Sequence, residues 1–188
     1  MGENITKDEN PAYGSIQKLN ARDSDMTVLC EDKCLNILAN KDALFNADGN
    51  ANVTSNTAVL GQSVPYVGEF GISKDPTSFA TYGFRSYFTD KARGVVLRLS
   101  RNGLEPISAH GMLDYFRDKL AETDIAIGAF NDKKGLYDIS LQSSSVRGLD
   151  DTISFKEEVQ GWPSRKSYLP EAGICLLYTS PSPRDSAL

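Results

Sequence analysis

Residues that carry catalytic chemistry are scarce in this chain of 188 residues. Its single histidine, His110, stands beside Gly111, where a solvated polar residue is ordinary, and any Ser-His or Cys-His mechanism would have to use it. No glycine-rich phosphate loop with a following lysine occurs, and no GxGxxG pattern follows a strand. Carboxylates are plentiful, but no pair of them can be assigned to a cleft. We therefore expect no enzyme, no catalytic residue and no cofactor.

Cysteine is also rare, with only Cys30, Cys34 and Cys175. Three cysteines are too few for a disulfide framework, and an odd number cannot all be paired within the chain. Cys30 and Cys34 have three residues between them, whereas zinc knuckles and redox motifs have two. We expect both to be small apolar side chains in a hairpin, and we expect no metal site.

Long apolar runs and an excess of positive charge are absent as well. No run approaches the roughly 20 residues of a membrane helix, and the acidic, polar start MGENITKDENPAYG argues against a secretory signal at this end. The net charge of −5 and pI near 4.9 argue against nucleic acid as the main partner. The apolar fraction of 40% and charged fraction of 24% are typical of a soluble globular domain.

What the sequence does contain is a recurring hairpin pattern. Apolar, alternating strands flank a charged turn in residues 26–40, 86–103 and 125–142, and an Asp-Lys pair falls at each reversal. These pairs are Asp32-Lys33, Asp90-Lys91 and Asp132-Lys133. The aspartates are 58 and then 42 residues apart, close to the roughly 40–50 residues of a propeller blade. The spacing predicts that each hairpin is the middle of a four-stranded sheet.

Segments between the hairpins give weaker signals. Residues 48–59 imitate the spacing of a calcium loop, but Val53 and Val59 replace the glycine and bidentate glutamate that such a loop needs. Asp75-Pro76 predicts a short helical turn that ends at Gly83, with Phe79 and Tyr82 inward.

One longer helix is predicted over about residues 108–121, with Ser108 as its cap. Its apolar face comprises Met112, Leu113, Tyr115, Phe116 and Leu120. This face either fills a gap between sheets or binds a partner.

These patterns predict a mainly β fold, a partial propeller-like array of antiparallel sheets with one amphipathic helix. We expect an extended or loop segment over residues 1–24 and an incomplete propeller-like β domain over 25–174. The remaining residues, 175–188, have no apolar periodicity, and the prolines of SPSP bar a central strand.

Residues 10–170 resemble virion structural proteins of tailed, marine-type bacteriophages. The resemblance is most specific in GEFGISKDPTSFATYGFRSYFTDKARGVVLRLSRNGL and FKEEVQGW. It implies a large tail or tail-associated protein with propeller-like sheets and no known catalytic motif. A local similarity to blade strands of the YWTD and NHL propellers is found in YFTDKARGVVLRLSRNG. Proteins of those families mostly bind other molecules and do not catalyse reactions.

The chain departs from that family after EVQGW, where relatives continue with a further strand and domain. Residues 175–188 resemble translated sequencing-adapter read-through, so we expect a non-native tail on a truncated protein. A truncated propeller would leave an apolar face or an unpaired edge on its last blade. We therefore expect the isolated chain to aggregate or to behave as a loosened β protein.

The resemblance implies a virion component that is made in the host cytoplasm and is oligomeric in the particle. Its expected partners are other virion or tail proteins, without nucleic acid or membrane. The alternative is a carbohydrate-binding or glycan-degrading propeller domain that meets host surface glycans. Its sugar site would use the following residues: Tyr82, Tyr87 and Trp162 with Asp90 or Asp132.

Overall fold

The computed structural model describes residues 6–22, 25–38, 60–144 and 150–173. In this part of the chain, twelve strands form three four-stranded antiparallel sheets, and there is one α-helix. Every sheet has its strands in sequence order, which is the meander connectivity of a propeller blade. The mainly β fold class is therefore confirmed, and the open sheets are consistent with a partial propeller-like array.

The elements have the following bounds. The first sheet contains β1 (Ile16–Ala21), β2 (Asp25–Cys30), β3 (Cys34–Leu38) and β4 (Ser63–Pro65). The second contains β5 (Ala80–Tyr82), β6 (Arg85–Asp90), β7 (Val95–Ser100) and β8 (Gly103–Pro106). Helix α1 (Leu113–Glu122) precedes the third sheet, which contains β9 (Ile125–Asn131), β10 (Leu136–Gln142), β11 (Asp151–Lys156) and β12 (Gly161–Lys166). Short 3-10 turns lie at Pro11–Tyr13, Pro76–Ser78, Ile107–Ala109 and Asp132–Lys134.

The chain divides into two compact units, Met1–Pro76 with Asp90–Arg93 and Thr77–Thr89 with Gly94–Leu188. Strand β1 lies within the predicted lead segment 1–24 and pairs with β2. The domain boundaries at 24 and 174 stay predictions, and residues 175–188 lie outside the described ranges.

The first unit contains the first sheet. Alternation along β2 and β3 turns one side of each strand inward, where Val28, Cys30, Leu35 and Ile37 form a buried cluster. Cys30 and Cys34 are both fully buried free thiols, as expected of small apolar side chains. Burial raises the pKa of both, so both are protonated at neutral pH.

The second unit contains the other two sheets and α1, which share one core. From the second sheet and the helix this core takes Ala80, Tyr87, Val96, Ile107, Phe116 and Leu120; from the third it takes Ala126, Phe130, Tyr137, Ile139, Leu141, Ile153 and Phe155. The helix therefore buries Phe116 and Leu120 of its predicted apolar face in this core, with Met112 and Tyr115 partly buried against it.

The predicted hairpins form, but they are not equivalent. Those at 26–40 and 86–103 are strands two and three of their sheets, whereas the one at 125–142 provides strands one and two. The prediction that each hairpin is the middle of a sheet is wrong for the third. The segment of the chain between β10 and β11 has the sequence SSSVRGLD, which contains no Asp-Lys pair.

The helix begins later than predicted, and Ser108 does not cap it. Ser108 lies in a separate 3-10 turn, fully buried, and its hydroxyl accepts the Val96 N–H at 3.3 Å. Met112 stands at the N-cap without a side-chain hydrogen bond. On the predicted apolar face, Phe116 is buried while Leu113 is 48% exposed.

The Asp75-Pro76 signal produces only the single 3-10 turn Pro76–Ser78, after which β5 begins. Tyr82 is therefore a strand residue, and Gly83, with φ +56, forms the following turn. The whole calcium-like segment, residues 48–59, lies outside the described residues.

Candidate functional site

The five residues proposed for sugar binding do not converge. Tyr87 is fully buried in the core of the second unit, and Asp90 is fully buried in the first unit. Trp162 packs on Phe116 and Phe155, and its Nε1 donates to the Ile107 carbonyl at 3.2 Å. Of the five, only Tyr82 and Asp132 line the same concavity.

That concavity adjoins another, and the two share Tyr82 and Arg85. The smaller, of about 430 Å³, is lined by Tyr82, Gly83, Phe84, Arg85, Arg98, Ser100, Arg101 and Asn102. The larger, of about 780 Å³, is lined by Tyr82, Arg85, Phe130, Asp132, Lys133, Lys134, Gly135, Leu136, Lys156, Glu157, Glu158, Pro163 and Ser164. We call the pair the turn-end site, because turns of the second and third sheets provide most of its lining.

Local hydrogen bonding shapes the turn that provides the two lysines. The Asn131 side chain accepts the Lys134 N–H at 3.2 Å, and Gly135 closes the 3-10 turn in the left-handed region at φ +61. A glycine adopts that conformation without a steric penalty. As a result, Asp132, Lys133 and Lys134 all stand exposed to solvent.

Arg98 is held at the base of the smaller concavity by two carboxylates. Its Nη1 lies 2.5 Å from Glu157, and its Nη2 bonds Glu105. Burial opposes the charge of Arg98, but the two glutamates outweigh it and raise the pKa of the guanidinium. The buried Nε atom has no hydrogen-bond partner in the described part of the chain.

Glu157 connects this ion pair to the core. Besides Arg98, it accepts a hydrogen bond from the Tyr87 hydroxyl at 2.6 Å. Burial, followed by the hydrogen bond to Glu157, raises the pKa of the Tyr87 phenol, which therefore stays neutral. Arg98, Glu157 and Tyr87 thus form a chain of contacts that connects the lining of the site to the core.

The other cations of the site are far less neutralised. Arg85 lies 4.0 Å from Glu157, and the Arg101 guanidinium lies 4.0 Å above the centre of the Phe84 ring. Within the described ranges, Arg101, Lys133 and Lys134 form no ion pair. In all, the lining contains six cations, Arg85, Arg98, Arg101, Lys133, Lys134 and Lys156, and three carboxylates, Asp132, Glu157 and Glu158.

Sequence reasoning missed these cations because they come from separate strands and turns. The sequence does place these cations in or near hairpin turns. Arg101 and the Lys133-Lys134 pair occur in turns, and Arg85 and Arg98 lie close to a turn. The pattern does not say that these turns face one another, which depends on how the sheets pack.

His110, the single histidine, contacts a carboxylate and an aromatic ring in the described part of the chain. Its Nε2 lies 3.6 Å from Glu105, and its ring is tilted against Phe155 at a centroid distance of 6.3 Å. Among the described residues, no group of three or more His, Cys, Asp or Glu side chains could hold a metal ion. No helix in the same ranges is long and apolar enough to cross a membrane.

Comparison with models of known protein families finds no match, and comparison with curated proteins finds none either. Proposals about function therefore rest on the geometry of the chain and on the sequence resemblance described above.

Proposed function

We propose that this chain belongs to a structural protein of a tailed-phage virion, in the tail or associated with it, and that it acts through protein–protein contacts. In this proposal it is made in the host cytoplasm, resides in the particle and is oligomeric there. The resemblance over residues 10–170 supports the virion assignment. The contact role is supported by one structural observation, the exposed apolar residues on the edge strands of the first sheet.

Strand β1 is an edge strand, and four of its six residues are exposed. Two of these are large and apolar, since Ile16 is 49% and Leu19 is 53% exposed. On the opposite edge, Val64 of β4 is 52% exposed. An edge strand leaves a row of backbone N–H and C=O groups unpaired and is a template for a further strand, although Lys18 of β1 and Pro65 of β4 are residues of the kind that oppose such pairing. In an assembly the same edge pairs with an extended segment of a neighbouring subunit.

The direct test is to look for the chain in purified particles. Phage carrying the parent gene would be banded on a density gradient, washed at high salt and digested with trypsin. The tryptic peptide 102–117 follows Arg101 and ends at Arg117, so its sequence identifies the chain. We expect it to be enriched in the particle band and retained in the tail fraction after the heads are disrupted.

A known major capsid protein and a known non-structural phage protein are the controls for enrichment and for carry-over. Recovery of the peptide only from the soluble lysate, together with the non-structural control, would overturn the virion assignment. The alternative of a glycan-degrading propeller has less support, because Tyr87, Asp90 and Trp162 do not line the concavity that its other candidates, Tyr82 and Asp132, share.

A further inference from the structure

We propose that the turn-end site binds an acidic oligosaccharide, a sugar chain whose units bear carboxylates. This inference goes beyond a contact role and does not depend on the virion assignment. It rests on three features of the described residues: surplus positive charge, a supported aromatic surface and carboxylates that can accept sugar hydroxyls.

The turn-end site has an excess of positive charge, although the chain as a whole is negative. Six cations and three carboxylates line the site, whereas the chain carries a formal net charge of −5. Arg98 is neutralised by Glu105 and Glu157, and Lys156 lies 2.8 Å from Glu158. Arg101, Lys133 and Lys134 form no ion pair within the described ranges, and Arg85 is only 4.0 Å from a Glu157 that it shares with Arg98, so these four cations can meet an incoming anion. A guanidinium binds a carboxylate through two parallel hydrogen bonds, which makes the arginines suited to a carboxylated sugar.

The aromatic surface is provided by Tyr82 and Phe84. Tyr82 lines both concavities and stacks on Phe130 with ring centres 4.2 Å apart and planes inclined by 11°. Because the stacking supports one face of its ring, the Tyr82 side chain is held in place before a ligand arrives. Phe84 is 58% exposed, and Arg101 lies against its ring. Flat aromatic surfaces combined with a few polar groups are typical of small-ligand sites, and the volumes of both concavities are within the usual range of such sites.

The carboxylates favour a sugar over a nucleic acid. Asp132, Glu157 and Glu158 line the larger concavity as hydrogen-bond acceptors, and the phosphates of a nucleic-acid backbone offer them no donor. A sugar chain also offers many hydroxyl donors, which a carboxylate such as the exposed Asp132 can accept. The mixture of cations and carboxylates therefore matches a ligand that combines negative charges with many hydroxyl groups.

The experiment uses the whole chain and two matched ligands. Tetragalacturonate would be titrated by isothermal calorimetry, in parallel with fully methyl-esterified tetragalacturonate, which has the same sugar backbone without charge. We expect the acid to bind, the ester to bind at least about tenfold more weakly, and the affinity for the acid to fall with added salt. A single-stranded oligothymidylate of the same net charge tests the nucleic-acid alternative.

Variants then locate the binding. Arg101→Gln, and the pair Lys133→Gln with Lys134→Gln, alter exposed side chains and should each weaken tetragalacturonate binding about tenfold. The matched control is Arg117→Gln on α1, which removes one charge from the same unit at a side chain that is 61% exposed and outside the site. It should leave the affinity unchanged. Circular dichroism of each variant confirms that the fold is kept.

Four results would overturn the proposal: no binding of tetragalacturonate, equal binding of the ester, equal loss in the Arg117→Gln control, or tighter binding of the oligothymidylate. None of these results bears on whether the chain is found in particles, so the two proposals can fail separately.

Discussion

Asp90 is fully buried, and its carboxylate is surrounded by donors within the first unit. It accepts hydrogen bonds from the Gly71 N–H at 3.1 Å and the Ser73 hydroxyl at 2.9 Å, and it pairs with Arg93 at 2.9 Å. Each donor satisfies one part of a buried charge that would otherwise be costly. Asp132 has the same following residue in the sequence, yet it is exposed to solvent.

Replacing these two aspartates should therefore have different effects. We expect Asp90→Ala to lower the free energy of unfolding by about 2–3 kcal/mol, because it leaves buried donors without an acceptor. The matched change Asp132→Ala should cost about 0.5 kcal/mol or less. Urea unfolding followed by far-UV circular dichroism measures both. Similar losses in the two variants would show that the Asp90 hydrogen bonds contribute little.

Two tyrosines make the stability of the folded protein depend on pH in the alkaline range. The Tyr115 hydroxyl donates to Asp151 at 2.6 Å, and the Tyr168 hydroxyl donates to Asp138 at 2.7 Å. Burial, followed by these hydrogen bonds, raises the pKa of each phenol to about 12. An unfolded tyrosine has a pKa of about 10. The folded state therefore binds these protons more tightly than the unfolded state.

It follows that the contribution of Tyr115 and Tyr168 to stability is complete below about pH 10 and is lost as the pH rises through about 12. In Tyr168→Phe the hydroxyl is missing, so the difference in unfolding free energy from the unchanged protein should shrink across this interval. Urea unfolding at several pH values, with tyrosinate absorbance of the folded protein, measures the effect. A difference that stays constant from neutral pH to about pH 12 would contradict it.

How well the sequence predicts the burial of a residue depends on how far apart the interacting residues are along the chain. The burial of Cys30 could be predicted, because it alternates with the inward Val28 along β2, whereas Cys34 pairs with Leu29 on the opposite face and is buried there as well, which alternation does not predict. The burial of Asp90 could not, because Gly71 and Ser73 are 19 and 17 residues away in the chain. For the same reason, Arg85 and Lys133 could not be placed at one site.

At the scale of elements, the tight turn between β6 and β7 ends at Gly94, with φ +65. A Cβ atom there would lie 2.8 Å from the Cα of Arg117 on helix α1. Gly83, in the turn between β5 and β6, also has a positive φ of +56, but a Cβ there would meet nothing within 4 Å. The two glycines share the backbone requirement and differ only in packing.

We therefore expect Gly94→Ala to be the more destabilising substitution. Gly83→Ala should cost about 1–2 kcal/mol, the usual penalty for a left-handed residue with a side chain. Gly94→Ala should cost at least about 1 kcal/mol more, because the turn or the helix has to move. Thermal unfolding of both variants measures the difference. Equal losses would indicate that α1 does not pack closely against this turn.

The strands and the helix differ in how well the sequence predicts them. Hairpin strands follow from alternation, which is local, and all three hairpins form. The helix start was misplaced because Ser108 looks like a cap, whereas its hydroxyl accepts a hydrogen bond from Val96, twelve residues earlier. The position of the third hairpin in its sheet was also wrong, since the recurrence of Asp-Lys does not distinguish a first pair of strands from a middle pair.

At the scale of the whole molecule, the expected apolar face on the last sheet is replaced by a polar one. Thr152 and Ser154 alternate with core residues along β11, and Ser154 and Lys166 bond Asp138 on that face. The segment after β12 lies over it, because the Tyr168 carbonyl accepts the Thr152 hydroxyl at 2.7 Å. β12 is the last strand of its sheet, and no described strand pairs beyond it; the unpaired edge of a truncated propeller stays a prediction.

Self-association of the isolated chain should then depend on edges, above all on β1. Replacing Ile16 and Leu19 by lysine should reduce concentration-dependent association in sedimentation velocity, because charge on an edge strand opposes pairing with another strand. The matched control places lysine at Val159 and Leu169, which are 61% and 47% exposed and lie outside the strands. If the control reduces association equally, general apolar exposure is responsible and β1 has no special role.

Trp162 is the single tryptophan of the chain, and it belongs to the second unit. Its ring lies 4.5 Å from that of Phe116 and 5.2 Å from that of Phe155, measured between centroids. Intrinsic fluorescence excited at the indole therefore reports on the second unit alone, while the far-ultraviolet signal sums the strands of both. The fluorescence of Trp162 can therefore be used to follow the unfolding of the second unit without attaching a dye.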